Sequence, residues 1–370
     1  TAGTNTQGSG SVAIGSEAGR DNQGTNAVAI GALAGNQTQG INAVAIGNLA
    51  GQTKQGTNAI AIGNLAGNQT QGQNAIAIGS SAGNQTQGLN TVAIGNSAGL
   101  AQQGTNAVSI GLLAGQNSQG QNAVAIGFGA GQSIQRLNTL AIGTNAGQTQ
   151  QGTNAVAIGL TAGQNSQGQN AVAIGFAAGQ SIQGVNSVAI GLNAGNSTQG
   201  SGAVAIGINA GQTNQGVNSV AIGSSAGQTG QAANSVVISA LGTVVTGATA
   251  NATYIAPIRG VATATPVMVY NTTTNEITYN TSSIKYKKNV INLEQDTSKL
   301  YNITAREYDA KVDDKHYIGY IAEELNSIDP HFTWKNVDGS PEGIEWFNLL
   351  VYAIEEIKSL KTRIEILENK

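Results

Sequence analysis

The chain has 370 residues, a formal net charge of −3, no cysteine and 52 glycines. Its length predicts two or three domains, and the missing cysteine excludes thiol catalysis, disulfides and thiolate metal sites. The slight acidic balance argues against a general nucleic-acid binder, two histidines (His316 and His331) are too few for a histidine-rich metal site, and no apolar run approaches the ~20 residues needed to span a bilayer. No cofactor is expected.

Charge is unevenly placed. Residues 1–250 hold only Glu17, Arg20, Asp21, Lys54 and Arg136, and every other charged residue lies in the last 120. The first 239 residues are a sixteen-residue repeat, from Ser11–Gly15 (SVAIG) to Ser235–Ser239 (SVVIS), with NAVAIG at Asn42–Gly47 as the plainest copy. Val44 and Ile46 lie two apart, so on a strand they share one face, with Ala43 and Ala45 on the other. Gly47, Gly51 and Gly56 mark tight bends. One short strand and its turns per period predicts one coil of a parallel β-solenoid, a rod of roughly 70 Å at the usual strand spacing.

Within each period Ala-Gly is fixed, as at Ala34–Gly35 and Ala50–Gly51, which points to close packing; the two residues before it drift, which points to exposed surface. Asn42, Asn58, Asn74 and Asn90 fall in line, as do Gln39, Gln55, Gln71 and Gln87, and stacked amides can hydrogen-bond along a solenoid. Burying one Val, one Ile and an occasional Leu in so thin a coil cannot offset the entropy of ordering sixteen backbones. A second apolar surface shared between chains would help most. The small alanines opposite Val and Ile are the expected surface, and an oligomer is the expected state.

The NAVAIG…AG unit resembles the head repeat of trimeric bacterial adhesins, a left-handed parallel β-roll packed as three chains. The resemblance covers about two-thirds of the chain and implies a homotrimer. Thr1 falls inside a repeat-like phrase, which reads as a fragment or a processed product. After Ser239 the period fails. Residues 240–281 read as a short β neck, with a hairpin that places Val267 and Val269 on one arm and Ile277 and Tyr279 on the other.

TSSIKYKKNVINLE, Thr281–Glu294, follows. From spacing alone, YKKN reads as a solvated basic turn. The stretch resembles the opening of the intramolecular chaperone domain of phage endosialidases and tail fibres, a self-cleaving serine peptidase. HYIGYIAEEL (His316–Leu325) and GIEWFNLLVYAIEEIKSL (Gly343–Leu360) resemble two later segments of that domain, so the likeness spans residues 282–370. It implies Ser282 as nucleophile, Lys287 as its base and Thr281–Ser282 as the bond cut. Ser283 stands where the family often has Asp, which leaves a Ser283–Lys288 register open. A serine hydroxyl is a poor nucleophile until a base takes its proton. A lysine can be that base where burial or neighbouring cations favour the neutral amine, and Lys285 and Lys288 flank Lys287. No activity on a separate substrate is expected.

The last helix, about 348–369, carries Leu350, Ala353, Ile357, Leu360, Ile364 and Leu367 at alternating spacings of three and four, a coiled-coil seam. Phe332, Trp334, Trp346 and Phe347 are expected in the core of this domain. The fold class expected is therefore mainly β: a trimeric parallel β-solenoid, a β neck and an α+β chaperone domain ending in a coiled-coil helix.

Near-identical coils create a register problem, because sliding one chain by sixteen residues preserves almost every contact. A C-terminal domain that trimerises first would set the register, and its removal would trap the rod kinetically. The leading expectation is a fibre of a virus or phage particle that meets a host receptor or glycan through exposed positions such as Leu112, Phe128, Phe176 and Ile208. The alternative is a bacterial surface adhesin head; an ice-binding solenoid is a weaker third, since no Thr-x-Thr array supports it.

Overall fold

The structure is a computed structural model that describes residues 2–259, 268–271, 274–279, 282–311, 314–336 and 338–369. The chain divides into two compact units, Thr1–Gly260 and Val261–Lys370.

The first unit is a parallel β-solenoid of sixteen-residue coils. Three-residue strands such as Val44–Ile46 form one sixteen-stranded sheet, and two-residue strands such as Thr38–Gln39 form a thirteen-stranded sheet. Register advances by one repeat per coil: Val28 lies beside Val44 and Thr38 beside Lys54. The larger sheet runs one strand past the sequence period, because Thr253–Ala256 pairs in parallel with Val236–Ser239 at an offset of seventeen.

The expected inside and outside of the coil are reversed. Ala43 and Ala45 are fully buried, whereas Val44 is half-buried and Ile46 is 36% exposed. The reason is width. Two walls joined by turns this tight leave room between them for methyl groups, and two facing β-branched side chains would force them apart. Alanines of the strand face alanines of the Ala-Gly corner in two long clusters, Ala18–Ala98 and Ala114–Val237. The clusters separate near Ser109, the one serine on this inner strand position, whose hydroxyl donates to Gln119 Oε1 at 2.7 Å. The Val/Ile face, not the alanine face, is therefore the surface available to a neighbouring copy.

Buried glutamines span the interior. Gln39 Nε2 donates to the Val28 carbonyl at 2.7 Å and to the Gln55 Oε1 at 3.2 Å. The repeated bond, though, runs across the coil to a strand carbonyl, as at Gln55, Gln71 and Gln119. Of the two expected rows, the exposed asparagines are the one that stacks continuously: Asn42 donates to Asn58, Asn58 to Asn74 and Asn74 to Asn90 at 3.0–3.2 Å. Each of these asparagines has φ near +57°, a left-handed turn conformation that Asn tolerates better than other side-chain-bearing residues. Gly79 shows why its position is glycine: φ is +125° and a Cβ there would meet the Gly95 carbonyl oxygen at 2.7 Å. Of the drifting pair before Ala-Gly, the first residue is exposed at Ala32; the second, Leu33, is half-buried and left-handed (φ +59°).

In the second unit the hairpin forms between Met268–Asn271 and Glu276–Tyr279, with Tyr270 opposite Ile277 and Met268 opposite Tyr279. Val269 therefore faces Thr278, on the other side from Ile277 and Tyr279's partners; Val267 lies outside the described residues. Two further hairpins pair Arg306–Asp309 with His316–Gly319 and Thr333–Lys335 with Pro341–Ile344. Helix α1 spans Ala322–Ile328 and helix α2 spans Trp346–Glu368. Leu325, Phe332, Leu349 and Tyr352 form the core, with Phe332 edge-on to Tyr352 at 4.9 Å. Trp334, Trp346 and Phe347 are exposed instead of buried; α2 spends its inward face on Leu349, Tyr352 and Glu356, so its first-turn aromatics point elsewhere.

Candidate autocleavage site

Ser282 and Lys287 are five residues apart, and a single 3-10 turn at Ile284–Tyr286 folds the chain back between them. Its carbonyls hold it: Ser283 accepts from Tyr286 N–H and Ile284 from Lys287 N–H, both at 3.0 Å. The turn brings Lys287 Nζ to 2.9 Å from Ser282 Oγ, a hydrogen bond between the two residues marked as nucleophile and base. Ser283 stands at the cap of the turn and makes no side-chain cap bond. Lys285 lies over the Tyr286 ring, 4.8 Å from its centroid, a cation–π contact. Thr281, the residue ahead of the expected cut, lies outside the described residues.

This arrangement can move a proton. A hydroxyl within hydrogen-bond reach of an amine is the minimal nucleophile–base pair. Both side chains are exposed in the single chain, so nothing within it desolvates the amine.

A polar centre that sequence reasoning missed lies in the same unit. Asp329 is 1% exposed and sits among Lys299, His331 and Tyr352. Lys299 Nζ donates to Oδ2 at 2.9 Å; the backbone N–H of His331 donates to Oδ1 at 2.9 Å, and His331 Nδ1 lies 2.8 Å from the same oxygen. Burial pushes the Asp329 carboxyl up, but the His331 N–H, the Lys299 ammonium and the His331 ring outweigh it and hold the group at about 2. The sequence signal was Asp-Pro-His at 329–331, an aspartate capping a proline-led turn. Nearby, buried Glu356 accepts from Thr297 Oγ1 at 2.7 Å and Tyr301 Oη at 2.9 Å, tying α2 to the Thr297–Asn302 turn.

Among the described residues, no group of three or more His, Asp or Glu side chains could hold a metal ion. No helix among them is long and apolar enough to cross a membrane. The chain matches no protein-family model, no curated protein and no solved structure.

Proposed function

We propose that the protein is a homotrimeric fibre of a virus or phage particle whose C-terminal unit aligns three chains and then releases itself by one cut at Thr281–Ser282. The observation that carries the cleavage is the 2.9 Å contact between Lys287 Nζ and Ser282 Oγ. Lys287 takes the hydroxyl proton as Oγ adds to the Thr281 carbonyl carbon. The C–N bond breaks, the proton passes to the departing Ser282 nitrogen, and Thr281 is left as an ester on Ser282 Oγ. Water hydrolyses that ester, giving a Thr281 carboxylate and a free Ser282 hydroxyl and amine. Solvation of the amine in the single chain couples the step to assembly, because neighbouring copies are what can bury the pair.

Two unpartnered apolar faces support the trimer. Along the rod, Val and Ile point outward on every coil, and Ile14, Ile46, Ile62 and Ile94 are exposed. On α2, Leu350, Ile357, Ile364 and Leu367 stay exposed at heptad-like spacing, while the opposite face is used within the unit. The positions expected to meet a host surface, Leu112, Phe128, Phe176 and Ile208, are all exposed. A bacterial surface adhesin head is the second reading, favoured by the repeat alone.

Expression followed by intact-mass measurement tests the cleavage, with Ser282→Ala and Lys287→Ala beside the unaltered chain. Two fragments divided at 281/282 in the unaltered chain only are expected. A cut that survives Ser282→Ala but stops in Ser283→Ala moves the nucleophile by one residue and removes the proposed pair. Light scattering tests assembly: a well-folded single copy of the full chain would end the trimer.

A further inference from the structure

Fifteen coils share one position, immediately after the repeat's inward-row glutamine (Gln7 to Gln231), where the residue is glycine or, at Ala232, alanine, with a single exception: Arg136. The glycines are there for a steric reason. A Cβ at Gly152 would lie 2.6 Å from the Gly168 carbonyl carbon and from the Gln169 nitrogen, and one at Gly104 would lie 2.6 Å from the Gln121 nitrogen. Real Cβ atoms do not come so close to backbone, so at Arg136 the stack has to yield.

It does. The Arg136 N–H reaches the Gln151 carbonyl at 3.2 Å, against 2.9 Å for Gly120 to Gln135 and for Gly152 to Gln167 on either side. The chain supplies its own control, since residues 153–200 nearly copy residues 105–152 and carry Gly184 where the first copy has Arg136. In that copy the Gly184 N–H reaches the Gln199 carbonyl at 2.9 Å, against 3.2 Å for Arg136 to Gln151 in the original. Beside this longer bond lies a cleft of about 210 Å³, lined by Arg136, Gln150, Gly152, Thr153, Gln167 and Gln169. Exposed Ile134 and Leu137 border it, Ile134 lying beside Gln150 in the sheet.

The charge of this cleft is uncompensated within the rod, because the sequence has no acidic residue between Asp21 and Glu276. We propose that the cleft around Arg136 is a binding site for an acidic saccharide, with the guanidinium holding the sugar carboxylate. Guanidinium meets carboxylate with two parallel N–H donors. Neutral carboxamides and a threonine hydroxyl, each able to donate and accept, suit the hydroxyls of a pyranose, and the bordering Ile and Leu suit its apolar face. An acidic peptide is the less favoured occupant. A peptide strand docks on an unpaired sheet edge, and here the backbone of each coil is already bonded to the coils above and below.

The proposal deepens the attachment role by naming a ligand class. Its test is ligand-observed NMR on the full chain with D-glucuronic acid, glucose, acetate and a short oligo-glutamate as probes. Glucuronate is expected to bind at millimolar concentration and to weaken with added salt. Affinity should fall on the order of tenfold in Arg136→Gln, as for loss of a charge-assisted bond pair. Arg136→Gly, the residue of the other coils, should keep or raise the melting temperature while losing the same binding, which separates loss of the site from loss of the fold. Glucose or acetate binding as tightly as glucuronate, oligo-glutamate binding more tightly, no glucuronate binding, or glucuronate binding that survives both substitutions would each overturn the site. Because Arg136 is remote in sequence from Ser282 and Lys287, intact-mass analysis of the same variants reports cleavage separately, and host-surface binding retained in Arg136→Gly would remove this site while leaving attachment in place.

Discussion

The rod and the C-terminal unit secure their backbones by opposite means. In the rod each coil is bonded to the coils before and after it, the interior is alanine and glutamine, and charge is nearly absent. In the C-terminal unit a small core of Leu325, Phe332, Leu349 and Tyr352 sits beside buried Asp329 and Glu356, each held by side chains distant in sequence. The difference teaches where specificity resides. A stack of nearest-neighbour contacts is stable in any register that matches coil to coil, whereas the contacts of Asp329 with Lys299 and of Glu356 with Thr297 exist in one arrangement only. On the function proposed above, a repeat rod would gain alignment from a unit unlike itself.

Substitutions can break this contrast, and the largest effect is expected in the rod. Gly79→Ala puts a methyl group against the Gly95 carbonyl at a φ that disfavours it. Strain of about 1–3 kcal/mol adds to that clash, and hydrogen exchange should show protection lost in the coils around 79 and 95 with the C-terminal unit unchanged. Uniform loss across both units would show that the two are not independently stabilised.

Next in size is Asp329→Asn, about 2 kcal/mol against the C-terminal unit by the shift from 3.8 to about 2. The folded value lies below the unfolded one, so this stabilisation is complete above about pH 4 and fades as pH falls towards about 2. Acid titration followed by tryptophan fluorescence of Trp334 and Trp346 should show the C-terminal unit loosening in that window, and the variant should flatten the dependence. An unchanged acid midpoint would remove Asp329 from the account.

Smaller still is Asn74→Ala. It interrupts the exposed amide stack and leaves alanine in a left-handed turn, at ~1 kcal/mol; Asn74→Gly should recover the turn but not the stack, and thermal melts of the two variants separate the terms. The smallest effect is expected for Ser109→Ala, under about 1 kcal/mol. It leaves Gln119 Oε1 in the condition of Gln71 and Gln167, whose Oε1 atoms accept no protein hydrogen bond, and it joins the two alanine clusters. A large loss there would mean that the serine orders the glutamine row.

Much of the molecule was legible in particular residues. The sixteen-residue spacing of NAVAIG gave the solenoid and its register, and the spacing of Leu350, Ile357 and Ile364 gave a helix with a free apolar face. Ser282 and Lys287 were candidates only through the resemblance of residues 282–370 to the chaperone domain; their spacing alone reads as a solvated turn, and the 2.9 Å contact between them depends on the turn at Ile284–Tyr286. Asp329 was not, since a lone aspartate in a loop gives no hint that Lys299 and Tyr352 will close over it. Nor were Trp334 and Trp346 legible as exposed, because hydrophobicity by itself assigns them to a core.

The sequence alone determined that the strand has two faces and that each coil lies on the last, since alternation and period are properties of the covalent order. Only the tertiary structure decided which face is inside. Hydrophobicity favours Val44 and Ile46 for the interior, but the space between two walls closed by sixteen residues, already crossed by the buried glutamines, is filled by Ala43 and Ala45. Width is a property of the closed coil and not of the strand, and it turns the larger apolar side chains outward.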